Sequence, residues 1–458
     1  MNVSNIIEQL QRKSQETDDS LTLMTLSKMI EQLQLGEVEV VSTVNDLPAL
    51  PLEENGQLYL VENDSQLYYN VNDGLLLGEG WRNFPLEEEN LGVVFSWGRG
   101  FNGRLGTGDT TDKSSPVTAA GDITDWSAIS AGQDHSLGVT DTGVLYAWGE
   151  DNRGQLGTGN EIDRSSPVTV AGGIANWSSV AAGREHSFGV TDTGVLYAWG
   201  RGDSGRLGTG DRTDRSSPVT VVGGITNWSS IAAGSVHNLG LTDTGVLYAW
   251  GDNQWGSAGL LGTGDEIPRS SPVTVVGGIT NWSSVDAGER HNLGVTDTGV
   301  LYAWGNGTWG ILGTGDTVNK SSPVTVAGGI TDWSSIAASR LHSLGVTDTG
   351  VLYAWGNNGD GQLGTGDTTD RSSPVTVVGG ITNWSSVAGG VSAEHSFGVT
   401  DTGVLYAWGE NSFAQLGTGD EIDRSSPVTV VGGITNWSSI SAGDHGLTIV
   451  SGTFNKRL

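Results

Sequence analysis

The sequence predicts an all-β fold: a seven-bladed β-propeller closed by two N-terminal plus two C-terminal strands, preceded by a small α+β module. Three observations carry this. A segment of about fifty residues recurs in seven near-copies, tryptophan recurs in two fixed registers within it, and each copy holds several short apolar runs separated by glycine-rich turns. The first register is Trp97, Trp148, Trp199, Trp250, Trp304, Trp355 and Trp408, with steps of 51, 51, 51, 54, 51 and 53 residues. The second is Trp126, Trp177, Trp228, Trp282, Trp333, Trp384 and Trp437. Units of this length that each hold several strands cannot bury their faces alone and stack in a radial array. Seven such units suit a closed propeller.

Within one unit, Trp126–Gly132 reads as a short strand of small residues at the crowded axis. His135–Thr140 and Val144–Trp148 flank Asp141-Thr-Gly143, a compact hairpin turn with glycine where positive φ is needed. A longer connection leads to Pro167–Val170, whose proline suits the start of an outer strand. The last unit supplies Trp437–Gly443 and His445–Val450 and then stops, whereas Val93–Trp97 and Pro116–Thr118 lack inner strands of their own. The two pairs should share one blade, which removes the free sheet edge. The chain therefore divides into a helical segment at 1–36, a β-hairpin module and linker at 37–92, the propeller at 93–452 and a tail at 453–458.

Composition narrows the function. With no cysteine, disulfides, thiolate metal sites and cysteine nucleophiles are excluded. No run of eighteen apolar residues and no basic-then-apolar N-terminus occurs, so neither membrane insertion nor classical secretion is indicated. A net charge of −30 disfavours a nucleic-acid partner.

The seven copies vary against one another in two places. One is the segment after Trp-Gly, which carries Arg99, Phe101, Arg104, Arg153, Arg201, Arg206, Trp255, Trp309 and Phe413; the other precedes the histidine and carries Arg184, Arg290 and Arg340. In an antiparallel four-stranded blade these two connections emerge on the same side. All sixteen Lys and Arg of the repeats lie in them, while the turns on the other side carry Asp141, Asp192, Asp243, Asp297, Asp348 and Asp401 and no basic residue. Arginine and large aromatics are common binding hot spots. The variable face is therefore the expected binding surface, against the alternative of a drifting surface with aromatics folded over the rim.

Chemistry is not expected. The histidines His135, His186, His237, His291, His342, His395 and His445 occur once per unit in one register, which fits repeated structural hydrogen bonds better than a four-coordinate metal site. Gly106-Thr-Gly-Asp109 lacks the Lys-Ser/Thr of a phosphate loop. Its Asp109-x-x-Asp112 spacing allows calcium, although turn stabilisation is the preferred reading. No catalytic constellation, metal site or cofactor is expected.

Residues 1–92 fall outside the repeat. Ser4 can cap a helix with Ile6, Ile7 and Leu10, and Ser20 a second with Leu26, Met29, Ile30 and Leu33 at helical spacing. Both are too short to stand alone and are expected to dock on a partner or on other copies, giving a homo-oligomer.

Two resemblances follow from these motifs. Ala-Gly-x-x-His-Ser-Leu-Gly-Val-Thr, Gly-Val-Leu-Tyr-Ala-Trp-Gly and Gly-Gln-Leu-Gly-Thr-Gly, at 131–140, 143–149 and 154–159, resemble the repeat of the regulator of chromosome condensation propellers. That family includes an exchange factor for a small GTPase, light receptors, ubiquitin ligase modules and a β-lactamase inhibitor, so the resemblance implies protein binding through loops and no single activity. The exchange factor's basic tail is absent. Asp46-Leu-Pro48, Gly56–Glu62, Leu67-Tyr-Tyr69 and Trp81 are similar to small β-modules of bacteriophage fibre and other virion proteins. The combined expectation is a non-enzymatic virion attachment protein, anchored to other virion proteins through 1–92 and displaying the propeller to a host-surface or protein ligand. The alternative is a cellular, cytoplasmic interaction module acting as scaffold or inhibitor.

Overall fold

The computed structural model describes residues 92–450 and four short strands before them: β1 Val38–Val41, β2 Leu58–Val61, β3 Gln66–Val71 and β4 Gly80–Phe84. The helices expected in 1–36 and the tail after 450 lie outside the described residues. The chain forms two units, 1–89 and 90–458. In the first, β2 pairs antiparallel with β3, β1 adds parallel to β2, and β4, which contains Trp81, adds antiparallel to β3.

The second unit is the predicted propeller of seven four-stranded antiparallel sheets. Blade 7 closes the ring: β5 Val93–Gly98 and β6 Lys113–Thr118 complete a sheet begun by Trp437–Ala442 and His445–Val450, the last pairing with β5 in register His445↔Gly98 to Val450↔Val93. Blade 1 consists of β7 Trp126–Ala131, β8 His135–Thr140, β9 Leu145–Gly149 and β10 Arg164–Thr169, and blades 2 to 6 repeat it. The hairpin turn between β8 and β9 holds Gly143 at φ 75°, as the sequence requires. The outer strand starts three residues earlier than expected. Arg164 pairs with Gly149, and Pro167 falls where the register shifts before Val168, a bulge on an edge strand that tolerates the missing N–H.

Packing follows the two tryptophan registers. Each first-register indole is fully buried, and each second-register indole stands tilted to edge-on against it in the same blade, as in Trp177 against Trp199 (6.0 Å) and Tyr197 (5.4 Å). Such pairs add to area burial. Room for the second-register ring comes from glycine on the neighbouring strand: a Cβ at Gly189 would lie 2.4 Å from Trp177.

Blades are joined by a buried polar belt. Histidine Nε2 of one blade meets the side chain that follows the histidine of the next: His135 with Ser187 (2.8 Å), His186 with Asn238 (2.7 Å), His237 with Asn292 (2.7 Å), His291 with Ser343 (2.7 Å), His342 with Ser396 (2.8 Å) and His445 with Ser136 (2.7 Å). The Asn238 amide nitrogen is spent on the Arg206 carbonyl (2.7 Å) and the Ser187 hydroxyl donates to the Gln155 carbonyl (2.7 Å). Each partner therefore presents an acceptor, so the imidazole proton sits on Nε2. The same carbonyls take the first-register indoles, Trp250 Nε1 to Arg206 (3.0 Å) and Trp199 Nε1 to Gln155 (2.9 Å).

The seventh joint is broken. His395 faces Gly446, which offers no side chain, and its Nε2 is buried without a partner. Serine cannot be restored there, since a Cβ on Gly446 would lie 2.4 Å from Trp97 Cε2. Gly446→Ser should therefore destabilise by about 1–3 kcal/mol despite copying its sister blades, because overpacking outweighs one hydrogen bond. Urea denaturation measures this; a stabilised variant would contradict it.

Candidate interaction face

The two variable connections do share one face. Arg201, after Trp-Gly, pairs with Glu185, before the histidine of the same blade, and with Asp203 at 2.6 Å. The loop after Trp-Gly also leans over the next blade, where Arg153 approaches Asp214 at 3.8 Å.

Two of the twelve expected binding residues are instead internal staples. Arg104 is 1% exposed: it pairs with Asp134 of blade 1 and Asp444 of blade 7 (3.3 Å), and donates to the carbonyls of Phe101 (3.0 Å) and Gln133 (3.3 Å). Arg206 is equally buried, pairing with Asp203 and donating to the Ser235 carbonyl of blade 3 (3.1 Å). Both are withdrawn from the binding set, because a buried cation spent on internal carboxylates and carbonyls cannot meet a partner. Arg340 is a third cross-blade link, between Glu289 of blade 4 (3.1 Å) and Glu394 of blade 6 (2.6 Å), and Arg290 rests on Glu289 at 3.3 Å. Arg153 is exposed and Arg184 half-buried.

The aromatics lie as follows. Phe101 is 56% exposed, Phe413 42% and Trp309 40%, while Trp255 is half-buried. Arg99 stacks between rings from two blades, 4.7 Å from the Phe413 centroid and 5.7 Å from that of Phe101. Among the described residues it forms one ion pair, with Asp444 at 3.7 Å, a carboxylate Arg104 also engages. Trp309 takes a left-handed backbone, φ 56°, at the position Asn102 and Ser204 occupy in sister loops. A bulky residue there is strained, and such strain gathers at functional loops.

Several carboxylates on this face are pushed toward their neutral form. Burial, then Asp134 and Asp163, lifts Glu150 to about 7. Burial also raises Glu394 and Glu410, and their mutual repulsion adds to the rise in Glu410. The sequence missed the roles of Glu289, Glu394 and Asp444, whose partners are remote in the chain.

The Gly-Thr-Gly-Asp loops do not leave room for calcium in the form the sequence allowed. Asp109 accepts from Thr111 N–H (3.0 Å) and from Lys113 (2.8 Å), which holds its carboxyl well below the usual range. Arg215–Asp211, Arg269–Asp265, Lys320–Asp316, Arg371–Asp367 and Arg424–Asp420 repeat the pair. Among the described residues no cluster of His, Cys, Asp or Glu could hold a metal ion.

A seven-bladed ring with closely repeated strands and one variable, arginine- and aromatic-bearing loop face defines a loop-presenting propeller. The profile of the RCC1-like domain matches residues 92–392 and that of the regulator of chromosome condensation (RCC1) repeat matches 402–450, and the chain belongs to this family. It is 36% identical over 352 residues to the ultraviolet-B receptor UVR8 of Arabidopsis thaliana, covering 73% of this chain and 77% of that one. It is 30% identical to the Arabidopsis RCC1 domain-containing protein RUG3, mitochondrial, covering 71% and 79%. A 34% identity to the mouse E3 ubiquitin-protein ligase HERC2 covers 63% of this chain and only 6% of that protein. Among solved structures, yeast RCC1 (Prp20) bound to Kap60 superposes with TM-score 0.70 at 21% identity, covering 81% and 91%, and human WBSCR16 with 0.71 at 22%, covering 78% and 99%. These relatives are cellular proteins of plants and mammals, one of them mitochondrial, and they overturn the virion location expected from residues 37–92.

Proposed function

We propose that this protein is a cellular, non-enzymatic interaction module that binds a protein partner through its variable loop face. The observation that carries the reading is the set of exposed aromatics, Phe101, Trp309 and Phe413, on the face where Arg99 stands stacked and short of a close carboxylate. A loop-presenting propeller needs no catalytic group to do this. Yeast RCC1, which shares this fold, has been solved with Kap60 bound to it.

The opposite face supports the choice by contrast. Its Asp turns are largely satisfied from within: the Asn176, Asn227, Asn281 and Asn383 amides donate to Asp192, Asp243, Asp297 and Asp401. The test compares affinity purification with wild type, with a Phe101→Ser/Trp309→Ser/Phe413→Ser variant and with an Asp192→Lys/Asp243→Lys control, each checked for native circular dichroism. The triple variant should lose at least tenfold in affinity for the captured partner, since hot-spot aromatics each carry about 1–2 kcal/mol or more. Loss only in the control would place recognition on the wrong face for this reading.

A further inference from the structure

The propeller axis holds one feature that neither the family nor the loop face accounts for. Two cavities of about 260 Å³ and about 140 Å³ share Asp286, Gly389, Ser441 and Ala442, and between them touch the inner strand of every blade. They are segments of the axial channel. Their walls are Ser, Ala, Gly, Val and Ile, and Asp286 is the one charged side chain among the lining residues.

Sister blades show what this position ordinarily does. Its counterparts are Ser130, Ala181, Ala232, Ala337, Ala388 and Ser441. The Ser130 hydroxyl accepts from Ala182 N–H (2.9 Å) and that of Ser441 from Ala131 N–H (2.9 Å), each quieting a free inner-edge amide of the next blade. Asp286 Oδ2 accepts the equivalent bond from Ala338 N–H (2.7 Å), and Oδ1 accepts from Ala287 N–H (3.0 Å). A neutral hydroxyl already suffices for this task. The carboxylate adds a formal charge in a narrow passage with no cationic side chain on its wall, and an isolated charge removed from bulk water is costly unless it finds a counter-charge. Inner-edge strands also turn backbone carbonyls, ready-made cation ligands, toward the axis.

We propose that Asp286 is the anchor of a monovalent-cation site in the axial channel, taking an alkali ion or ammonium. The carboxylate supplies the charge, and the hydroxyls of Ser130 and Ser441, on the wall of the smaller cavity, supply neutral oxygens. Burial lifts the Asp286 carboxyl to about 6, so the site is charged at neutral pH and empties on mild acidification.

The experiment follows the thermal midpoint of the full chain in sodium, potassium or ammonium chloride against N-methylglucamine chloride at equal ionic strength. It is run for wild type and for Asp286→Ser, which installs the residue that two sister blades carry and should therefore fold. A small cation at ten times its dissociation constant raises the wild-type folding equilibrium about tenfold. Asp286→Ser loses that response. Comparing ammonium with the alkali ions identifies the occupant. Equal responses in both proteins, or no response in wild type, would overturn the proposal.

Discussion

Acidification should unfold the propeller in one cooperative step with a midpoint between about pH 5.5 and 4.5, driven by its seven histidines. Burial holds His135, His291, His342 and His395 at about 3 and His237 at about 4, and keeps His186 and His445 well below 6.5. The structural cause is specific. Nε2–H is committed to the next blade at six joints, and a second proton would land on Nδ1, which is buried without a partner in those same six histidines. The folded values lie below the unfolded one, so between about 6.5 and 3 the unfolded chain binds more protons and stability falls as pH falls.

Each fully buried histidine contributes about 1.4 kcal/mol per pH unit in that window, so seven together approach about 10 kcal/mol per unit, comparable to the whole stability of a domain. Asp151 and Asp286, raised to about 6, and Glu150, raised to about 7, act in the opposite sense and stabilise as pH falls. Their displacement from ordinary values is smaller than that of most of the histidines, and the carboxyls of Asp109 and its sister loops, held low by their Lys or Arg partners, act with the histidines, so the histidines prevail. Tryptophan fluorescence against pH reads the transition directly. A native spectrum maintained below about pH 3.5 would contradict the account.

Arg104→Met should cost about 3–5 kcal/mol, because it strands Asp134 and Asp444, and Asp444 is already pushed up by burial. Arg340→Met removes a pair of similar appearance but should cost under about 1 kcal/mol, since the Arg340 side chain is 41% exposed and solvent screens its charge. Chemical denaturation of the two variants side by side separates a buried staple from a surface link. Equal losses would show that burial does not set the strength of these ion pairs.

The repeat makes the fold readable in the sequence itself. Trp97 to Trp408 and Trp126 to Trp437 set blade number and strand order, and the unmatched strands at the two ends of the repeat predicted the shared blade 7. Local chemistry was readable where it is local, as in the Asp141-Thr-Gly143 turn. What stayed hidden depends on contacts remote in sequence. Arg104 and Arg153 look alike in the chain, yet one is buried against Asp444, some 340 residues away, and the other is exposed. Asp286 carried a signal in its departure from Ser and Ala sisters, but its weight comes from the channel that seven strands build together. The virion reading failed because it extrapolated a short N-terminal motif to the whole protein, whereas the family relationship runs through the propeller.

The central claim, recognition through the variable loop face, is tested most directly by hydrogen–deuterium exchange of the protein alone and with its captured partner. Slowed exchange confined to the loops around 99–104, 306–311 and 410–415, with the Asp-Thr-Gly turns unchanged, is the predicted result. Protection of the turns around 141–143, 192–194 and 243–245, with those loops exchanging as before, would contradict it.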